Sequence, residues 1–301
     1  MKKKKQIVEC VPNFSEGKDL TKIEKIVDPL KHKKGIKLLG YERDEDYNRL
    51  VVTVIGEPEP LKEAIIESMG VAIEVIDMRK HQGQHPRMGA IDVVPFIPIK
   101  NFSIDEAISL SKEVARIVYD KYNLPVFLYE KSATLSNREN LSEIRKGEFE
   151  GMSEKIKKPE WKPDYGSTKI HPTAGVTAVG AREPLIAYNI NLNTNNLEIA
   201  NHIARSIRHK NGGLRYCKAI GVALKERGIV QVSINMTDYT KTPLYRAFEL
   251  VRIEAKRFGV NVIGSEIVGF APLESLVNSA AYYLGLEKFS TEQILEVRMT
   301  E

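Results

Sequence analysis

Residues 50–76, LVVTVIGEPEPLKEAIIESMGVAIEVI, change period once, and the rest of the chain can be parsed from that change in both directions. The opening LVVTVI (50–55) is rich in β-branched side chains and reads as a strand. From about 59 to 76, Leu61, Ile65, Ile66, Met69, Ile73 and Ile76 recur at helical spacing and predict an amphipathic helix. Upstream, IKLLGYE (36–42) reads as a second strand, 18–31 as a Lys/Glu-rich helix, and IVECVPNF (7–14) as a short strand. Downstream, IDVVPFIPI (91–99) reads as a strand in which Pro95 and Pro98 predict an edge or irregular position. A helix at 104–122, a strand at 125–130 and a short helix near 137–147 follow.

The order β-α-β-β-α-β is the split βαβ, ferredoxin-like arrangement, not a doubly wound nucleotide fold. From 185 it repeats: strand 185–192, helix 196–209, strands 215–224 and 229–236, helix 243–258 and a strand near 260–268, with a last helix at 272–284. No close self-similarity accompanies the repeat, so it is one of architecture. The fold class expected is α+β, two α/β-plait subdomains flanking a substrate cleft, divided as 1–181 and 182–301. Between the halves, 151–183 carries Pro159, Pro163, Gly166, Pro172, Gly175 and Gly180 and shows little periodicity. It reads as a packed connector or as a binding loop; Trp161, His171 and the hydroxyls around them favour binding.

Bulk properties agree with two compact units. The chain has 301 residues, beyond a comfortable single core. Lys and Arg number 45 against 40 Asp and Glu, a net +5, and the run Lys2 to Lys5 supplies much of it. That run reads as a solvated tail rather than a nucleic-acid arm. Only Ile7 and Val8 precede Glu9, so no signal-peptide core follows the lysines, and no apolar stretch approaches the ~20 residues of a membrane span. Cys10 and Cys217 lack metal-ligand spacing, so neither a disulfide framework nor a zinc site is expected, and the cytoplasm is the default compartment.

The densest polar stretch is HQGQHPRMGAID (81–92). Two histidines four apart suggest a metal at first sight. Gly83 between them and Pro86 after His85 oppose helical geometry, and Gln82 stands where the zincin pattern requires Glu. General acid–base work suits His85 better, because an imidazole with a pKa near ~6.5 both takes and gives a proton around neutrality. The alternative is a structural histidine ordering its loop. Arg87 is a candidate carboxylate holder. Asn13 and Ser15, in VPNFSEG (11–17), are candidate ligand contacts, although Ser15 or Glu16 also reads as the cap of the next helix. Asn48 and Arg49, in DEDYNR (44–49), face either a cleft or only a hairpin turn. GSTKIHPTAG (166–175) has Gly at both ends, which lets backbone approach a flat ligand, and it matches neither the P-loop nor the dinucleotide fingerprint.

Taken together, these segments resemble the formiminotransferase family. The matching stretches are VECVPNFSEG (8–17), DYNRLVVTVIG (46–56), IDMRKHQGQHPRMGAIDVVPFIP (76–98), the Trp161–Gly180 segment, QVSINMTDY (231–239) and VIGSEIVGFAPL (262–273). They run in order through nearly the whole chain, and HxGxHPRMGAxD is a specific signature. The resemblance implies transfer of a formimidoyl group from N-formimidoyl-L-glutamate to N5 of tetrahydrofolate, a step of histidine breakdown, in a homodimer without metal. It maps the catalytic histidine to His85 and the folate-contacting loop to Gly166, Ser167, Thr168, Lys169, Ile170, His171, Pro172, Thr173, Ala174 and Gly175. Asn13, Asn48, Arg49 and Arg87 are the remaining substrate-contact candidates, with Lys169 a further holder of carboxylates. Two positions depart from the family pattern: Gly40 and Gln84 stand where acidic residues are common. Animal members carry a cyclodeaminase domain after this one, and a chain ending at 301 sets the expectation that this second activity is missing.

A formyl transfer between 5-formyltetrahydrofolate and glutamate would use nearly the same site and is the nearest rival. A nucleic-acid-binding plait would need the aromatic RRM signature on its strands, which no segment carries.

Overall fold

The computed structural model describes residues 5–299; Lys2, Lys3 and Lys4 of the lysine run lie outside the described residues. The chain forms two compact units that meet in sequence at Arg182–Glu183. The first contains β1 (Ile7–Cys10), β2 (Asn13–Phe14), α1 (Leu20–Val27), β3 (Ile36–Asp44), β4 (Arg49–Gly56), α2 (Pro58–Val75), β5 (Ile91–Lys100), α3 (Ile104–Tyr122), β6 (Val126–Glu130), α4 (Leu141–Arg145), α5 (Glu148–Lys155) and β7 (Thr177–Ala181). The second contains β8 (Ile186–Leu192), α6 (Leu197–Ile207), β9 (Cys217–Leu224), β10 (Ile229–Met236), α7 (Leu244–Arg257), β11 (Val262–Val268), α8 (Leu273–Leu284) and α9 (Leu295–Met299). The α+β expectation holds, with one sheet in each unit.

In the first unit β1 and β2 act as one interrupted strand. Both pair antiparallel with β4 on one side and β5 on the other, while β3 pairs with the far edge of β4. On the other flank β5, β7 and β6 run parallel. β5 is therefore central, and of the two expected positions it is the irregular one, with register shifts in its pairing to β1 and β2. Its Pro95 is tolerated because the neighbouring strand breaks opposite it, at Val11–Pro12, where Val11 N–H still reaches the Pro95 carbonyl at 3.3 Å. The amphipathic stripe of α2 buries Leu61, Ile65 and Met69 against β4 and β5, with Val114 and Val118 of α3 in the same core. A smaller core on the opposite face joins Phe127, Tyr129, Val93 and Met88 to Ile144 of α4 and Met152 of α5.

The 151–183 segment departs from the sequence expectation. It continues α5 and ends in β7, a strand inserted between β5 and β6. Its five residues, Thr-Ala-Val-Gly-Ala, are all buried, so no alternation survives to betray the strand, as is usual for a parallel strand covered on both faces. The stretch at 137–147 is likewise less regular than expected, a single turn at 136–138 followed by the five-residue α4. The cap of α1 is Asp19, which accepts from Thr21 and Lys22 N–H, rather than Ser15 or Glu16. In the second unit the sheet order is β11-β8-β10-β9, all antiparallel, with Ile203 of α6 and Val251 of α7 packed on Ile190 and Val232.

Candidate functional site

α2 ends at Val75 and β5 begins at Ile91, leaving the 81–92 signature to cross the end of the sheet in extended turns. Three anchors hold that crossing. Met78 N–H donates to the Thr173 carbonyl at 2.8 Å, Ala90 N–H to Ala174 at 2.9 Å, and Val176 N–H to Met88 at 3.2 Å. The C-terminal half of the 166–175 loop is thus seated on both ends of the histidine loop. Within it, His171 and Gly175 exchange backbone hydrogen bonds at 2.9 and 3.0 Å, and His171 Nδ1 accepts from Ala174 N–H at 3.0 Å. Burial lowers the His171 pKa, which agrees with a ring fixed as an acceptor. Gly175 has φ +72°, open to glycine at little cost, and a Cβ there would stand 2.4 Å from the Met88 carbonyl. The glycine freedom at this end therefore serves the loop's seat against its own chain. Ser167, Thr168 and Lys169, in the other half, are exposed.

A small pocket, about 10 Å³ and therefore of the order of one water molecule, is lined by Phe14, Ser15, Tyr47, Asn48, Arg49, His81, His85, Arg87 and Asp92. His85 is central to it. Arg49 Nη1 lies 2.8 Å from His85 Nε2, and because a guanidinium nitrogen only donates, Nε2 must be the accepting, unprotonated nitrogen. The proton then sits on Nδ1, directed at the Pro86 backbone. Burial first, then the Arg49 and Arg145 cations, hold the His85 pKa down at about 3, against weaker support from Pro86 and Asp44. In this state His85 is neutral and its lone pair is engaged.

His81 plays a different part. Arg87 Nε donates to its Nδ1 at 3.1 Å, so Nε2–H points to the Asn48 carbonyl at 3.0 Å. Both ring nitrogens are satisfied within the protein. Both histidines line the pocket but are engaged by different partners, and among the described residues no group of three or more His, Cys, Asp or Glu side chains is arranged to hold a metal.

The other expected residues divide by what they touch. Asn48, in the left-handed region at φ +47°, accepts from Gly17 N–H at 2.8 Å and donates to the Gln82 carbonyl at 2.9 Å. It ties three loops together with its own amide. Asn13 Nδ2 donates to the Val11 carbonyl at 3.0 Å. Ser15 Oγ donates to the Gly89 carbonyl at 2.8 Å, another tie to the histidine loop. Arg87, expected as a carboxylate holder for substrate, already has carboxylates. Its guanidinium meets Glu148 at 2.6 Å and Glu150 at 2.6 and 2.9 Å, which raises its pKa. Gln84 is exposed, its N–H donating to the Asp46 carbonyl, and open space surrounds the missing Cβ of Gly40.

Four residues escaped the sequence reading. Asp92 is 3% exposed and accepts from Met88 N–H at 3.0 Å while binding Arg145 of α4. Glu148 and Glu150 complete the charge balance around Arg87. Asp92 closes the signature and could have been weighed with it, whereas Arg145, Glu148 and Glu150 sit in a polar stretch with no distinguishing pattern. With these pairings made, Arg49 is the lining arginine that has no carboxylate partner among the described residues, and its buried Nε has no hydrogen-bond partner among them.

Among the described residues no helix is long and apolar enough to cross a membrane. Profiles of the "Formiminotransferase domain, N-terminal subdomain" and the "Formiminotransferase domain" match residues 7–182 and 187–300. A glutamate formimidoyltransferase of Streptococcus pyogenes is 52% identical over 97% of this chain and 98% of its own. One from Thermoplasma acidophilum is 43% identical over 97% of each. The formimidoyltransferase-cyclodeaminase of Rattus norvegicus is 40% identical over 98% of this chain, which spans 56% of that longer protein. Both halves of the sequence and the relatives that match it end to end give one answer: the chain belongs to the formiminotransferase family.

Proposed function

We propose that this protein transfers the formimidoyl group from N-formimidoyl-L-glutamate to N5 of tetrahydrofolate, releasing L-glutamate, as a step in histidine degradation. The observation that carries the reading is the 52% identity, over nearly the full length of both chains, to a glutamate formimidoyltransferase. The catalytic machinery is assigned to the N-terminal subdomain, 1–181, with 182–301 as the C-terminal subdomain.

His85 is the general acid–base residue in this reading. Its Nε2 takes the proton released as N5 bonds to the amidine carbon, and then returns it to the glutamate nitrogen as the old C–N bond breaks. Nδ1–H, held by the Pro86 backbone, fixes the ring so that one nitrogen serves both transfers. Gly166 to Gly175 would hold tetrahydrofolate, which supplies the nucleophilic amine; the loop's seating on Met78, Met88 and Ala90 keeps it beside the histidine loop. Exposed Lys169 suits a carboxylate of the folate tail. Asn48 contributes as framework of the pocket lining, Asn13 remains a candidate contact beside it on β2, and Arg87 acts by fixing His81 and the α5 carboxylates.

The enzyme is further proposed to act in the cytoplasm as a homodimer. Two free, buried cysteines fit the first, and the exposed apolar side chains of α8, among them Leu273, Leu276 and Tyr282, fit the second.

The deciding assay offers N-formimidoyl-L-glutamate and N-formyl-L-glutamate in separate reactions with tetrahydrofolate. The expected result is 5-formimidoyltetrahydrofolate from the first donor at much the higher kcat/KM. A preference for the formyl donor would move the enzyme out of histidine breakdown while leaving the site in place.

A further inference from the structure

The His85 that must accept a proton is blocked by a neighbour. Arg49 Nη1 stands 2.8 Å from Nε2 and occupies the lone pair that the reaction needs. The groups facing His85 come from every surrounding element: Asp44 at the end of β3, Tyr47 in the following turn with its ring 5.9 Å away, Arg49 on β4, His81 and Arg87 in the loop, Asp92 on β5 and Arg145 on α4. Arg87 is paired with Glu148 and Glu150, and Arg145 with Asp92. Among the described residues, Arg49 has its side-chain hydrogen bond on a neutral imidazole, with Nε buried and unpartnered. A guanidinium so placed gains more from a carboxylate than from an imidazole, because a carboxylate brings a full opposite charge and two acceptor oxygens for a bidentate pair, whereas the neutral ring offers one uncharged lone pair.

We propose that Arg49 is a positioning switch that holds His85 idle until an anionic acyl donor binds, when its guanidinium turns to the donor's carboxylate and frees Nε2 to act as base. This rests on the acyl-glutamate reading given above. Proton balance is simple: the N5 proton goes to the freed Nε2, and from there to the leaving glutamate nitrogen. Coupling the base to the donor's negative charge makes the same residue a determinant of specificity, since an uncharged amidine would leave Arg49 on His85. It also keeps the imidazole unprotonated in the resting enzyme, because Arg49 at Nε2 is one of the two cations that disfavour imidazolium, and its departure makes the freed nitrogen more basic.

The experiment uses the full chain labelled with ¹³C at histidine Cε1, with the His85→Asn spectrum assigning the resonance. In wild type the His85 signal should show no titration above about pH 5; in Arg49→Met its midpoint should move up but stay below the ordinary ~6.5, because burial and Arg145 still hold it down. Saturating L-glutamate should shift the wild-type His85 resonance and leave that of Arg49→Met unmoved. In steady state, Arg49→Met should raise KM for N-formimidoyl-L-glutamate on the order of 10- to 100-fold, the loss expected for one charge-assisted contact, with KM for tetrahydrofolate unchanged. Arg49→Lys, which keeps the charge and is the safer variant for folding, should recover part of that KM. Identical His85 titrations in wild type and Arg49→Met would overturn the switch, as would a glutamate titration that leaves the His85 signal in place. Absence of turnover by wild type with either acyl donor would instead sink the functional reading, and the ligand-free titration still decides the Arg49–His85 contact.

Discussion

Gly89 and Gly175 face each other as an antiparallel bridge, and a Cβ on Gly89 would stand 2.0 Å from the Val176 carbonyl and 2.6 Å from that of Ala174. The close approach lets Ala90 and Val176 donate across the seam between the histidine loop and the 166–175 loop. Gly89→Ala should therefore separate the two loops. Because the clash is with backbone and cannot be relieved by a rotamer change, a loss of about 1–3 kcal/mol or more is expected. Urea denaturation measures it, and a parallel titration with tetrahydrofolate should show weakened binding. Unchanged stability would mean that the seam yields without cost.

His85→Asn keeps a polar side chain of similar reach but cannot shuttle a proton. Turnover should fall by about 10²–10⁴-fold, with tetrahydrofolate affinity retained. Stopped-assay kcat and equilibrium folate binding test this together. A kcat near that of wild type would remove His85 from the mechanism.

Acid should weaken the fold partly through His85. Its folded pKa is held at about 3 by burial and by Arg49 and Arg145, whereas the unfolded chain titrates near ~6.5. The unfolded state then binds the proton first, so stability falls as pH drops below about 6.5 and continues to fall towards 3; at pH 7 both states are neutral and the term vanishes. His81 and His171 are shifted the same way and add to the trend. Urea midpoints at pH 7 and pH 5 should therefore differ more for wild type than for His85→Asn. Equal differences would show that His85 titrates normally in the fold.

Arg138 and Asp164 form a pair with side chains 3% and 7% exposed, 2.5 Å apart, and Asp164 also accepts from Leu128 N–H of β6 at 2.8 Å. Removing one member leaves a buried charge without compensation. Asp164→Ala should cost about 3–5 kcal/mol, read as a lowered Tm. A change under about 0.5 kcal/mol would place the pair among those that add little.

Cys10 and Cys217 are both buried and free, and burial pushes the Cys10 thiol well up and that of Cys217 to about 12. Neither should react appreciably with a thiol reagent near neutral pH until the chain unfolds, when both should react at once. Rapid labelling of either in the native protein would show that its unit opens locally.

Much of this architecture is legible from local patterns. α2 follows from the spacing of Leu61, Ile65 and Met69, because a face that must be buried repeats with the period of its element, and β4 from the β-branched run Val51, Val52, Thr53, Val54 and Ile55. β7 was illegible for the opposite reason: with both faces covered by protein, Thr177 to Ala181 have no exposed side to mark a period. Pro95 leaves β5 open between an edge and an irregular position, because proline forbids a neighbour's hydrogen bond, and only the break at Val11–Pro12 shows how a central, irregularly paired strand tolerates it.

By itself the sequence determined the α+β succession, the two halves and the histidine loop with its candidate base, all properties carried by residues near one another along the chain. Tertiary structure alone decided what those residues are bonded to. Arg49 and His85 lie 36 positions apart and touch, Arg87 is claimed by Glu148 and Glu150, and Asn48 is used up between Gly17 and Gln82. Partners of a charge are chosen by distances of a few ångströms in the folded chain, where burial makes each pairing strong and each vacancy costly, and no local pattern records that choice.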